Sequence, residues 1–181
     1  MDIPSITQHK IEDSAWLKSY GFTVGFDWNT KNDDYGSNRQ MYVAGPSITL
    51  NVPGYLNLSL LGYYESNDAN VLTSKYMYDP YLALQVLWDF PVMQSNWNYQ
   101  GIGVWMSPKG KNETGGKTAS EIFVDMSLMY SLLKDKSVHQ PKLKAGVPYQ
   151  YWKNKYGNNE SGVAGRGATA SSPMLRLAYH F

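Results

Sequence analysis

Apolar and small polar residues alternate along most of this chain. In the first such segment every second side chain is aromatic or aliphatic: Tyr20, Phe22, Val24, Phe26 and Trp28. The side chains between them are small or polar: Ser19, Gly21, Thr23, Gly25 and Asp27. A strict period of two predicts a β-strand with one apolar and one polar face. Between Trp16 and Phe181, eight segments of this kind follow one another.

Two of the eight segments are harder to interpret. The fourth is expected to carry Tyr78 on its apolar face, ahead of Leu82 and Leu84. The fifth, residues 97–106, has apolar side chains on both faces, and its glycines, Gly101 and Gly103, would suit a tight interior. Either face of this segment could therefore be the one directed outward.

The connections between segments alternate between long and short. A short one contains Pro53-Gly54, a pair that favours a sharp turn because proline fixes φ and glycine permits positive φ. Four connections are long and polar: Thr30 to Gln40, Ser66 to Lys75, Ser107 to Glu121, and Asn154 to Ser171. Outer-membrane barrels have this alternation of long external loops and tight periplasmic turns.

The predicted fold is all-β: a transmembrane antiparallel up-and-down β-barrel of eight strands, formed by residues 16–181. With a periplasmic N-terminus the long loops fall after strands one, three, five and seven, so an even count returns the chain to the periplasm. Residues 1–15 are expected to precede the barrel as a polar N-terminal arm, folded as a short helix or coil.

The polar face distinguishes a membrane barrel from a secreted sandwich or lipocalin-like soluble barrel, the main alternative. It carries charged residues: Asp27, Glu65, Asp79, Asp125, Lys144 and Arg176. A soluble barrel would bury them in a dry core, at a cost of several kcal/mol for each unpaired charge. Facing the apolar side to lipid removes this conflict. We therefore expect localisation in the bacterial outer membrane, with the lipid bilayer and lipopolysaccharide as partners.

Composition excludes several other classes. The net charge of +1 argues against a nucleic-acid partner, which usually requires a basic excess. With no cysteine there is no disulfide framework, thiolate metal site or cysteine nucleophile. The three histidines, His9, His139 and His180, do not accompany an obvious serine and carboxylate. We expect no enzymatic activity, no cofactor and no metal.

The last segment, Leu175 to Phe181, resembles the terminal strand of many outer-membrane proteins, in which a final aromatic residue is read by the barrel-assembly machinery. The order of earlier segments resembles the Tsx-like nucleoside-specific channels, a family that includes the OmpK phage receptors. The segments that carry this resemblance are residues 22–28, 41–46, 56–60, 81–84, 89–92 and 98–103. The resemblance covers the C-terminal two-thirds of a family whose members look like twelve-stranded barrels, and it implies a channel for nucleosides.

Inward side chains near the external ends of the strands are candidate ligand-binding residues: Asp27, Tyr63, Glu65, Tyr81, Phe123 and Trp152. Rings of this kind stack on flat bases, worth about 1–3 kcal/mol per base in nucleic-acid proteins, and the carboxylates could accept hydrogen bonds from sugar hydroxyls. The simpler alternative is that the rings plug the mouth, because the interior of an eight-stranded barrel is just filled by its own side chains.

A second inward group consists of lumen charges: Asp89, Asp125, Lys142, Lys144, Arg176 and His180. A salt-bridged plug is the first interpretation of this group, and a selectivity device is the second. The expected function is an outer-membrane channel for nucleosides or similar small solutes. The alternative is a closed structural barrel whose external loops act as an anchor or as a phage or partner receptor.

Overall fold

The computed structural model describes most of the chain. The described residues are 5–10, 16–29, 39–67, 76–93, 95–111, 115–134, 141–158 and 169–179. Within these ranges no helix is long and apolar enough to cross a lipid bilayer.

Eleven strands and one short 3₁₀ turn make up the described structure. The strands are β1 (Ser5–Lys10), β2 (Leu17–Asn29), β3 (Arg39–Leu50), β4 (Tyr55–Asn67), β5 (Tyr76–Met77), β6 (Tyr81–Pro91), β7 (Trp97–Met106), β8 (Glu121–Lys134), β9 (Pro141–Lys153), β10 (Ala170–Pro173) and β11 (Arg176–Tyr179), and the 3₁₀ turn is Lys155–Gly157.

The strands form one antiparallel sheet in which neighbours in sequence are neighbours in space. Its order is β1-β2-β3-β4-β6-β7-β8-β9-β10, with β11 also paired to β9 and the two-residue β5 paired to β4. The predicted all-β, antiparallel, up-and-down fold is confirmed at this level. Seven of the eight predicted strands are β2, β3, β4, β6, β7, β8 and β9, and the eighth corresponds to β10 and β11 together.

The eighth strand is interrupted opposite a proline. Pro173 pairs with Tyr149 and Arg176 pairs with Gly146, so β10 and β11 keep one register along β9. Between them, the backbone N–H of Met174 donates to the carbonyl of Pro148 at 2.9 Å. Because Pro148 has no N–H to return, the ladder loses one bond there without losing its register.

The N-terminal arm contributes a strand that the sequence pattern did not indicate. Ser5–Lys10 forms β1 and pairs with β2, with Lys10 opposite Ser19. Helix or coil was expected for this segment, and for residues 5–10 that expectation is wrong. The segment is polar and short, so it lacks the apolar periodicity of the other strands. Its strand structure comes from backbone hydrogen bonding to the edge of the sheet at β2.

Exposure alternates along the strands as the sequence pattern predicts. In β4, Leu60 is 49% exposed and its neighbour Leu61 is 1% exposed. On β2 the predicted apolar face is exposed throughout, from Tyr20 to Trp28. Tyr78 is an exception, since it precedes β6 and is buried, with the Lys109 ammonium 5.5 Å from its ring centre. Its predicted place on the outward face is wrong.

The outward face of β7 is the one that carries Trp97, Tyr99 and Trp105, all of which are exposed. Gly101 lies on the same face, directly opposite Trp88 of β6. A Cβ on Gly101 would lie 2.6 Å from Cζ2 of the Trp88 indole. Gly101 therefore makes room for an outward tryptophan ring, so both glycines lie on the outward face of β7, and only Gly101 also borders the cavity described below.

The sheet is strongly curled, because residues from distant strands line one small cavity on its inward face. Tyr55 of β4 and Arg176 of β11 both line a cavity of about 360 Å³. Five strand-to-strand steps separate β4 from β11. In a flat sheet these strands would be about 24 Å apart at ~4.8 Å per step. The inward side chains of Leu61, Ala83 and Met129 are also at most 1% exposed, although one sheet supplies all the described strands.

Curling explains how a single sheet buries one of its faces. Val43, Leu61 and Ala83 form a buried apolar cluster on β3, β4 and β6, with Tyr63 and Val104 packed against it. The sheet is nevertheless open: in the part of the chain that the structure describes, β1 and the β10–β11 end are not paired with each other. What is shown is a curled antiparallel sheet of eight to nine main strands.

Gly45 on β3 provides a test of this strand packing. A Cβ at this position would overlap the backbone carbonyl oxygen of Leu60 on β4. We expect Gly45→Ala to lower the free energy of unfolding by about 1–3 kcal/mol, because neither backbone can move away cheaply. Urea unfolding of the refolded protein, followed by tryptophan fluorescence, measures this.

The matched control is Gly62→Ala on the neighbouring strand. A Cβ there meets nothing closer than the Ala44 carbonyl oxygen at 3.6 Å, an ordinary contact. This variant should be unchanged, or more stable by about 0.5 kcal/mol, because alanine loses less backbone entropy than glycine on folding. Equal stability of the two variants would contradict the described approach of β3 and β4.

Candidate functional site

Two of the predicted ligand-binding rings stack on each other at the long-loop end of the inward face. Tyr63 of β4 pairs in register with Tyr81 of β6. Their ring centres are 5.1 Å apart and their planes differ by 5°. The Tyr81 hydroxyl donates a hydrogen bond to Oε2 of Glu65 at 3.2 Å. Three predicted site residues are thus brought together, with the two rings already in contact.

A buried ion pair lies beside these rings. Nζ of Lys109 is 3.4 Å from Oε2 of Glu121, and the two side chains are only 10% and 2% exposed. The same ammonium lies 4.8 Å from the ring centre of Tyr81. The carboxylate and the aromatic face offset part of the ammonium's loss of water, although Oε2 of Glu121 accepts no hydrogen bond from the described residues.

The loop after β7 holds Lys109 in place. Its backbone N–H donates to Oγ1 of Thr118 at 2.7 Å, and the Thr118 hydroxyl donates to the carbonyl of Gly110 at 3.0 Å. The sequence pattern placed Lys109 and Glu121 in a polar external loop and so missed both. The sequence does contain one sign that Glu121 faces inward. It continues the inward alternation of Phe123 and Asp125 by one step towards the loop.

The remaining predicted rings belong to the same group. Phe123 of β8 and Trp152 of β9 are register partners and meet edge to face with centres 5.0 Å apart. The indole N–H of Trp152 donates to Oε1 of Glu121. Nζ of Lys155 lies 4.7 Å from the Trp152 ring centre. We call the connected set the loop-end cluster: Tyr63, Glu65, Tyr81, Lys109, Glu121, Phe123 and Trp152.

Asp27 is the predicted ligand residue that lies apart from the loop-end cluster. It faces inward on β2, opposite Met41 of β3, which in turn faces Glu65 of β4. Asp27 is partly exposed. Its carboxylate therefore borders the same face but is separated from Glu65 by the width of one strand.

The lumen charges form a second group, nearer the short turns. Nη2 of Arg176 lies 3.1 Å from Oδ2 of Asp125. The Gln150 amide also donates to Asp125, at 3.3 Å, and Nη1 of Arg176 donates to the Ser127 hydroxyl at 3.2 Å. Asp125 is thus paired with Arg176, another of the predicted lumen charges, which reaches it across β9.

Two further lumen charges have neutral partners. Oδ1 of Asp89 accepts a hydrogen bond from the Asn98 amide at 2.7 Å. Nζ of Lys144 donates to Oε1 of Gln100 at 3.5 Å. The side chain of Lys142 and the whole of His180 lie outside the described residues, as does Phe181.

A polar cavity lies between these charges. Its volume is about 360 Å³, at the lower end of the range for small-molecule sites, which is about 300–1,000 Å³. Its lining residues are Tyr55, Leu87, Trp88, Asp89, Gln100, Gly101, Ile102, Asp125, Ser127 and Arg176. It combines two aromatic residues, two carboxylates, a guanidinium and an amide, a set that can orient a small polar molecule.

Comparison with known proteins adds no relative. No family model matches the sequence, and no curated protein or solved structure is significantly similar to it. Within the described residues, no three histidine, aspartate or glutamate side chains are grouped to hold a metal ion. The candidate site is therefore defined by its own geometry: a filled loop-end cluster above a polar cavity.

Proposed function

We propose that the chain forms the wall of a bacterial outer-membrane β-barrel. The supporting observation is the exposed apolar face, which carries Phe26, Leu60, Leu84 and Leu128 on four different strands. Soluble monomers rarely expose a continuous apolar surface of more than a few hundred Å². In a bilayer the same surface is buried against acyl chains, and the charged face lines the interior.

Closure of the barrel is part of this proposal. The open ends of the sheet are β1 and the β10–β11 end. In a hydrocarbon environment each unpaired backbone group costs several kcal/mol, so an open edge is not tolerated. The curl already brings β4 and β11 to one cavity. We propose that the two ends pair when the protein is inserted, in parallel, because the first and ninth strands of this antiparallel order run in the same direction.

Within such a barrel, the function that the geometry supports best is passage of small polar solutes. The carrying observation is the polar cavity among Asp89, Gln100, Asp125 and Arg176, since an interior that served only as packing would be filled there. The resemblance to Tsx-like channels suggests nucleosides among these solutes. A base that stacks on Tyr63 or Tyr81 would have to displace their mutual contact.

A closed structural barrel is the second candidate. The loop-end cluster favours it, because the Lys109–Glu121 ion pair and four rings occupy the end where a solute would enter. In that case the external loops, rather than the lumen, would serve as an anchor or as a phage or partner receptor.

Planar-bilayer recording of the refolded protein distinguishes the two. The channel hypothesis expects discrete conductance steps, with current block by adenosine or thymidine if nucleosides are carried. Folded, inserted protein without conductance would refute the channel and leave the closed barrel. Folding is checked separately by the altered migration of the folded form on unheated gels. A lack of conductance that is caused by misfolding is then recognised.

A further inference from the structure

One row of inward residues crosses four strands at the floor of the polar cavity. Tyr55 of β4 pairs with Asp89 of β6, and Asp89 pairs with Gln100 of β7. Gln100 in turn pairs with Ser127 of β8. Directly paired residues have Cβ atoms about 4.5–5.5 Å apart. The Asp89 carboxylate is thus flanked by an aromatic ring on one side and an amide on the other.

The charges around the cavity are unequally compensated. Asp125 is paired with Arg176 at 3.1 Å. Asp89 accepts from the neutral amide of Asn98 at 2.7 Å, and no ion pair involves it within the described ranges. The Lys144 ammonium donates to Oε1 of Gln100, the register partner of Asp89, at 3.5 Å, so one positive charge already lies close to the cavity. Of the two carboxylates that line the cavity, Asp89 is therefore the one without an ion-pair partner in the described ranges.

Tyr55 adds a second attraction for a positive group. It is inward-facing, exposed to the cavity and next to Asp89 in the register. The face of an aromatic ring attracts cations within about 6 Å of its centre. A carboxylate beside such a face is a favourable site for an ammonium group, because the ion pair and the ring act on it together.

We propose that the cavity binds small organic cations, with the ammonium group held between the Asp89 carboxylate and the Tyr55 ring. The biological role of this site rests on the proposed channel function, because a cation site in the lumen would favour the passage of positively charged solutes. The binding itself needs only the cavity. With about 360 Å³ available, the site fits an amine of a few carbon atoms.

Calorimetric titration of the refolded protein in detergent micelles tests this, with butylammonium as the probe and butanol as its neutral match. We expect butylammonium to bind and butanol to bind at least tenfold more weakly. Asp89→Asn should weaken butylammonium binding about tenfold, the effect of losing one charge-assisted contact. The asparagine can still accept the Asn98 hydrogen bond, so the fold should survive.

Asp79→Asn is the matched control, because it removes a carboxylate just before β6 that lies outside the cavity lining. It should leave butylammonium binding unchanged. Tyr55→Leu keeps apolar bulk and should weaken binding severalfold through loss of the ring. The proposal is overturned if Asp89→Asn binds butylammonium as well as the unaltered protein, or if Asp79→Asn weakens binding as much as Asp89→Asn does.

Binding and conductance are separate measurements, so the two proposals fail separately. If the protein binds butylammonium but shows no conductance, the binding site is supported and the channel function is refuted. If the protein conducts but binds butylammonium no better than butanol, the channel function is supported and the cation site is refuted.

Discussion

Replacing Glu121 by glutamine should lower the free energy of unfolding by about 3 kcal/mol, because it leaves the Lys109 ammonium buried without its counter-charge. The two side chains are only 10% and 2% exposed, so water cannot compensate. The glutamine can still accept from the indole N–H of Trp152, and the substitution therefore removes charge with little change in shape. Urea unfolding of the refolded protein measures the loss.

The double variant Lys109→Met with Glu121→Gln is the control. It removes both charges and should recover most of the stability lost in the single variant, because no unpaired ion remains. If Glu121→Gln is as stable as the unaltered protein, the buried ion pair does not exist as described. If the double variant loses the sum of two single losses, the two residues are not coupled.

Replacing Leu60 by arginine should cost about 2–4 kcal/mol in lipid vesicles, the usual penalty for a charge on the lipid face near the bilayer midplane. Leu60 lies in the middle of β4 and is 49% exposed. In a water-soluble protein a residue this exposed would tolerate the change within about 0.5 kcal/mol. Reversible unfolding from vesicles gives the difference in free energy.

Met93→Arg provides the comparison. Met93 is 91% exposed and lies in the short turn between β6 and β7. Near the membrane interface an arginine costs about 0–1 kcal/mol. A cost at Leu60 no greater than the cost at Met93 would place the outward face in water.

The strands themselves were largely predictable from the sequence. A period of two places alternate side chains on opposite faces, so the facing of β2, β4 and β8 follows directly from it. The facing of β7 did not follow, because both of its faces carry apolar residues. It depends on the Trp88 ring from β6, which needs the space above Gly101, and a single-strand pattern does not contain that contact.

The strand β1 and the buried Tyr78 show a different limit. Ser5–Lys10 is polar and is held by pairing to β2, so its own residues give little sign of it. Tyr78 follows the alternation of β6 but lies before the strand begins, and Lys109 from a later loop covers it. A local sequence pattern cannot predict a contact with a residue 31 positions away.

The candidate site was predictable in its residue types and only partly in its arrangement. Alternation put Tyr63, Tyr81 and Trp152 inward, and the register then made Tyr63 and Tyr81 partners. The Lys109–Glu121 pair was missed because a polar loop and a strand end supply it. The cavity depends on the curl of the whole sheet, which no single segment encodes.

The absence of cysteine makes a direct measurement possible, since each introduced cysteine is the only one that can be labelled. Nitroxide labels at Leu58→Cys and Leu60→Cys, in vesicles, report whether lipid-dissolved oxygen or a water-soluble nickel chelate reaches the outward face of β4. A label at Ser59→Cys reports the inward face between them. Strands that cross a bilayer with this face outward give oxygen contact at 58 and 60, with little nickel contact, and lower oxygen contact at 59. Strong nickel contact at 58 and 60 would contradict the membrane barrel.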